Sequence, residues 1–224
     1  MIDRHIHKNT NMQTTRPDVL ISYVAPINEA ALHPLIEALS VPGLNLTVRH
    51  RRSLGPFAGV QLLLPTAVLI WFGKSYFESF LKEAGKDHYA KVKGGLSSLW
   101  SLFFGENAAL RFTAFGSSGK LESNQQSYSV SISIGADAHS GLQFKLLFRD
   151  SVSAQHFNAG TGNFLDFLSR YYRNELDVET ESRLNSVRAL GRTILLEYDP
   201  DGDFFRFIDP VPTKGAAAPD PKSR

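Results

Sequence analysis

Residues 66–104 read TAVLIWFGKSYFESFLKEAGKDHYAKVKGGLSSLWSLFF, and this stretch decides the fold because an apolar run passes straight into the longest amphipathic pattern of the chain. Residues 67–72 are too few to cross a bilayer and rich in β-branched and aromatic side chains, which predicts a strand buried on both faces. Ser75 and Glu78 stand in capping-box spacing, where the hydroxyl accepts from the N–H three residues on and the glutamate reaches back to the cap's own N–H. A helix is therefore expected to start near Ser75. Phe77, Leu81, Ala84, His88, Val92, Leu96, Leu99 and Phe103 then recur at three- and four-residue steps, the signature of one core-facing stripe. Gly85 and the Gly94-Gly95 pair each cost about 1 kcal/mol in a helix interior, so two helices or one kinked helix are expected. Gly73-Lys74-Ser75 falls where a phosphate-binding loop would sit, but the position that needs the first glycine of that motif is Val68, inside the strand.

Outward from this stretch, Asp18–Val24 reads as a first strand ended by Pro26, and Asn28 caps a helix whose apolar face is Ala31, Leu32, Leu35, Ile36 and Leu39. Leu44, Leu46 and Val48 alternate with polar residues in a half-buried strand that ends in Arg49-His50-Arg51-Arg52, before a loop at Ser53-Leu54-Gly55-Pro56. On the other side, three segments alternate with period two: Leu110, Phe112 and Ala114; Tyr128, Val130, Ile132 and Ile134; Leu142, Phe144, Leu146 and Phe148. An antiparallel meander is the simplest arrangement, with one apolar face and one wet face showing Arg111, Thr113, Ser129, Ser131, Ser133, Gln143, Lys145 and Arg149. On that reading Ile132→Asp abolishes folding, whereas Ser131→Asp is tolerated. Phe164, Phe167, Leu168, Tyr171 and Tyr172 mark a covering helix, with Thr161 of Gly160-Thr161-Gly162 as its cap, and a shorter helix carries Leu184, Val187 and Leu190. Asp199–Asp203 between two apolar segments is a hairpin signal.

The expected class is α+β. An N-terminal strand-helix-strand-strand-long helix half, residues 17–105, packs on a C-terminal antiparallel meander with covering helix and terminal hairpin, residues 106–209, between disordered tails at 1–16 and 210–224.

Composition narrows the chemistry. With 224 residues and 42% hydrophobic content the chain can bury a full core, and 24 basic against 22 acidic side chains leave +2, far from the excess of a dedicated nucleic-acid binder. The absence of cysteine excludes disulfides, thiolate nucleophiles and iron–sulfur clusters and fits a reducing compartment; with no export signal or membrane span in the pattern, a cytoplasmic location is expected. Asp199, Asp201 and Asp203 alternate like calcium ligands, yet Gly202 and Pro210 occupy the wrong loop positions. The seven histidines form no helical ligand pair, His5 and His7 lie in a polar tail, and Asp87 points about 100° away from His88 on a helix, leaving His88 to a packed core role. Gly116-Ser117-Ser118-Gly119 lies in a hairpin loop rather than a nucleophile elbow. No cofactor and no metal are expected. The one candidate site with an electrostatic mechanism is an anion site of Arg49, Arg51, Arg52 and Lys74.

With no nucleophile, metal or cofactor signature in a chain long enough to hold one, the leading expectation is a non-enzymatic intracellular protein-interaction or regulatory module whose partner is a protein. Nucleic-acid or phosphorylated-ligand binding through Arg49–Arg52 is the alternative. A hydrolase whose acid–base groups, such as His88 or His156 with a carboxylate, meet only in the fold keeps enzymatic activity open.

Overall fold

The structure is a computed structural model that describes residues 16–52, 66–112 and 128–209, with side chains omitted at 79–86. The expected tails, the loop after Arg52, His5 and His7, the Gly116–Gly119 loop and the end of the strand expected at Leu110–Ala114 lie outside these residues, except Arg16 and residues 110–112.

The α+β class is as expected, built on one sheet of seven strands. They are β1 (Val19–Val24), β2 (Leu46–Arg51), β3 (Val68–Phe72), β4 (Ile132–Asp137), β5 (Gln143–Leu147), β6 (Thr193–Asp199) and β7 (Phe204–Ile208), in the spatial order β2-β1-β3-β4-β5-β6-β7. β1 pairs with β2 and β5 with β6 in parallel, as strand–helix–strand connections require, and β4–β5 and β6–β7 are the expected antiparallel hairpins. The first and second halves of the chain meet in the parallel pair β3–β4, Val68 opposite Ile132 and Phe72 opposite Ala136. Residues 110–112 are not a strand; Leu110 instead donates its N–H to the Leu102 carbonyl at 2.9 Å.

The helices are α1 (His33–Leu39), α2 (Leu81–Ser98), α3 (Trp100–Phe103), α4 (Ala154–Arg173) and α5 (Val178–Ser186). The capping box expected at Ser75 is not formed. The Ser75 hydroxyl donates to the Asp18 carboxylate, Lys74 pairs with Glu78 at 3.1 Å, and a π-helical turn at Tyr76–Phe80 leads into α2. Asp18 has won the competition because it also accepts the Asn45 N–H at 2.9 Å, tying β1, β2 and the helix start together. α2 runs through its glycines and breaks only at Leu99. Gly95 is there for close approach, since a Cβ would lie 2.9 Å from Leu35 Cα on α1. Likewise α4 starts well ahead of Thr161, the cap expected from the sequence. Ser153 is the cap instead, accepting the His156 N–H at 3.2 Å, and Gly160–Gly162 lie inside the helix, where a Cβ on Gly160 would meet Tyr198 Cβ at 3.2 Å.

These helices gather on one face of the sheet. Phe72 meets Tyr76 and Phe77, Phe144 meets Phe167 and Tyr171 of α4, and Phe77 stacks on Tyr172 at 5.2 Å. His88 is buried as expected, its Nε2 at 3.3 Å from the Tyr76 hydroxyl, and burial followed by the charge of Lys91 pushes its pKa down.

Among the described residues the opposite face carries no helix, yet only part of it is the wet face expected: Gln143 is exposed and Arg149 half-buried, whereas its centre is covered. Ser131 is 3% exposed, Ser133 0% and Lys145 9%. Thr66 donates to the Val68 carbonyl, so its oxygen accepts from Ser133 at 2.8 Å, and the Trp71 ring lies across Gly135, the register neighbour of Lys145. Burial pushes the Lys145 amine down to about 8 from an ordinary 10.5. Below about pH 8 the amine is charged in both folded and unfolded chains. Between there and 10.5 the unfolded chain keeps a proton that the folded one has released, so stability should rise with pH, by on the order of 1–3 kcal/mol. Lys145→Met should flatten that rise, measured by urea unfolding at pH 7, 8.5 and 10; an unchanged slope would mean that another group titrates there.

Candidate interaction site

The two edges of the sheet differ in chemistry. β2 is one edge, and it exposes Arg49 and His50. Charge along an edge discourages the pairing of a further strand. β7 is the other edge, Phe204-Phe205-Arg206-Phe207-Ile208, with a single charge, and among the described residues it has β6 on one side and no strand on the other. The Asp199–Asp203 turn positions it: Asp199 accepts the Asp201 N–H at 3.1 Å and the Arg206 guanidinium, while Asp203 sits at φ 51° and accepts from Tyr198 Oη at 2.7 Å and Asn163 Nδ2 at 2.9 Å.

Phe205 pairs across to Tyr198, and its ring packs on Phe164 and Phe167 of α4 at 6.0 and 5.7 Å. Its carbonyl points away from β6, because Arg183 Nη2 on α5 donates to it at 3.2 Å. In an antiparallel ladder, inward- and outward-bonding residues alternate, so Phe207 presents its backbone on the same open side. That side gives onto a cleft of about 740 Å³ between α4, α5 and β7. Phe167, Phe205 and Phe207 line it, with Phe204 at its rim, 37% exposed under the Arg183 guanidinium 4.7 Å from its ring centre. Asp166, Asp177, Glu179 and Asp203 supply four carboxylates beside two guanidiniums, Arg170 and Arg183, and Asp166 is already paired with Lys93 at 3.1 Å. A strand edge that meets no further strand among the described residues, beside an aromatic groove, can hydrogen-bond an extended chain and bury its alternate side chains.

The anion-site residues are not gathered in one place. Arg49 and Arg51 share a strand face by alternation, opposite His50, whose ring meets Tyr23 at 5.3 Å. Arg51 is engaged: its Nη2 donates to the Thr66 carbonyl at 2.7 Å, and burial lowers its pKa. Lys74 follows Phe72, whose register partner Val19 pairs with Leu46, whereas Val24 pairs with Arg51, so Lys74 lies at the opposite end of the strands from the arginines. Arg49 and Arg52 are the two exposed members at that end.

A second cleft of about 300 Å³ holds the acid–base groups that the fold does assemble. Glu197 and Asp199 line it from β6 and His156 from the first turn of α4. Arg149 binds Glu197 with two nitrogens, Nη2 at 2.7 Å from Oε2, and Tyr128 donates to the same oxygen at 2.7 Å, while Asp199 holds Arg206. Glu197 and Asp199 are thus matched to guanidiniums rather than to the histidine, which suits ion-pair bracing of the β6–β7 hairpin. His88 lies elsewhere, against Tyr76.

Neither the edge nor the aromatic groove is among the sites expected from the sequence, although the signal is present: FFRFI after a hairpin turn is an edge-strand candidate with one charge. Among the described residues no group of three His, Asp or Glu side chains could hold a metal ion, and no helix is long and apolar enough to cross a membrane. No protein-family model, no curated protein and no solved structure matches the chain.

Proposed function

We propose that the chain is a non-enzymatic protein-interaction module of the cytoplasm, and that it takes up its partner by strand addition along β7. The observation that supports this reading is the β7 edge, which meets no further strand among the described residues, with the Phe205 carbonyl facing an aromatic cleft. The cysteine-free composition suits a reducing compartment. Main-chain pairing would supply affinity and the phenylalanine floor selectivity for apolar side chains at every second position.

A photo-crosslinking benzoyl-phenylalanine in place of Phe204 should label a partner during affinity capture from the native host. Ile208→Lys, which puts a charge on the edge, should abolish that labelling while lowering stability by no more than about 1 kcal/mol. A partner that Ile208→Lys retains equally, or that is labelled only from a crosslinker at Arg49 on the far edge, would overturn the assignment.

A further inference from the structure

We infer that the flank of α5 turned away from β7 is a binding site for a small organic ammonium whose apolar body is one or two rings in size. A cleft of about 450 Å³ lies there, between α5, the C-terminal end of α4 and the sheet. Its floor is core, with Phe144, Tyr171 and Ile194 all buried. Leu184 and Val187 of the α5 side are only half-buried, and α5 as a whole has no buried residue. Protein interiors pack as closely as organic crystals, so apolar side chains that face one another across such a space leave surface that a guest can still take out of water. The volume falls within the range of small-molecule pockets, about 300–1,000 Å³.

The charge of the guest follows from what faces the cleft. Glu181, Leu184 and Asn185 stand at i, i+3 and i+4 on α5 and so share its cleft-side face. Glu181 supplies the one carboxylate of the described lining, which contains no lysine or arginine, and among the described residues that carboxylate has no ion-pair or hydrogen-bond partner. The C-terminal ends of both helices reach the same space, α4 through Tyr171 and Asn174 and α5 through Asn185 and Val187, and helix C-termini carry partial negative charge. The nearby guanidiniums are placed elsewhere: Arg170 lines the other cleft, Arg173 pairs with Glu175 at 4.0 Å, Arg183 holds the Phe205 carbonyl, and Arg192 lies against Gly141, outside the lining. At the rim His139 lies flat on Tyr171, ring centres 4.5 Å apart. An ammonium on the guest is thus matched to Glu181 while its rings cover the aromatic floor. The site is separate from the β7 edge and stands or falls without it.

The probe is naphthylethylamine, compared with the neutral naphthylethanol and the anionic naphthylpropionate, each titrated to about 2 mM at neutral pH into isotope-labelled full-length protein and followed by NMR. With about 13 non-hydrogen atoms the amine should bind at about 1 mM or tighter and shift the amide resonances of Leu184, Asn185 and Ile194. The carboxylate should bind at least about tenfold more weakly. Glu181→Gln should weaken the amine about five- to tenfold and leave the alcohol unchanged, a split that a general loosening of α5 does not produce. Asn185→Trp, a bulky side chain at an exposed cleft position, should abolish binding of all three while the urea midpoint stays at the wild-type value. If amine and carboxylate bind equally, or Glu181→Gln keeps the amine at wild-type affinity, the ammonium assignment is overturned. If no probe shifts those resonances, or Asn185→Trp binds all three as wild type does, the cleft is not a ligand site and the whole inference falls.

Discussion

Ser131→Asp should damage this protein nearly as much as Ile132→Asp. Ile132 is 0% exposed and faces the helices, so a carboxylate there is a charge in the main core. Ser131 points to the other face but is only 3% exposed, and its N–H bonds the neighbouring Ser129 hydroxyl at 3.2 Å. An aspartate at 131 loses its hydration, at an effective cost of several kcal/mol, against the roughly 5–15 kcal/mol that holds a domain folded. Urea unfolding should show no cooperative transition for Ile132→Asp and a loss of about 3 kcal/mol or more for Ser131→Asp. Ser131→Ala, similar in volume and uncharged, should stay within about 1 kcal/mol. A Ser131→Asp variant as stable as wild type would mean that this face is solvated.

Gly135→Val should destabilise by about 3 kcal/mol, although β-propensity alone favours valine in a central strand. A Cβ at 135 would lie 2.5 Å from Cε3 and 2.6 Å from Cζ3 of Trp71, with the Phe144 carbonyl oxygen at 3.2 Å. The indole is rigid and the carbonyl is backbone, so neither gives way at low cost. Trp71→Ala should recover most of the loss in the double variant, a coupling that a thermodynamic cycle measures directly. Additive effects of the two substitutions would mean that the ring does not occupy the space over Gly135.

The stripe from Phe77 to Phe103 was legible because a helix samples one face every three to four residues; His88, Val92, Leu96, Leu99 and Phe103 are all buried. The β6–β7 hairpin was legible for the same kind of local reason, Asp-Pro-Asp-Gly-Asp between two apolar segments. The capping box failed where a partner distant in sequence, Asp18, bound Ser75 more favourably than the local N–H did. Thr161 reads as a cap because a glycine pair resembles a helix start, whereas Gly160 is needed where α4 crosses Tyr198.

By itself the sequence determined most of the strands and helices, though not the strand expected from Leu110 or the bounds of α5, together with the single-charge aromatic segment at 204–208 and the classes of chemistry that lack their residues, since these depend on periodicity, turn chemistry and composition within a few neighbours. Only the tertiary structure decided that β3 and β4 pair in parallel to make one sheet, that the serine face is buried, that Lys74 lies far from Arg49 and Arg52, and that β7 is an edge held by Arg183. Alternation along a strand states that two faces differ but not what packs on either. Which strand is left at the edge is settled by pairings between residues far apart in the chain, whose energies no local pattern encodes.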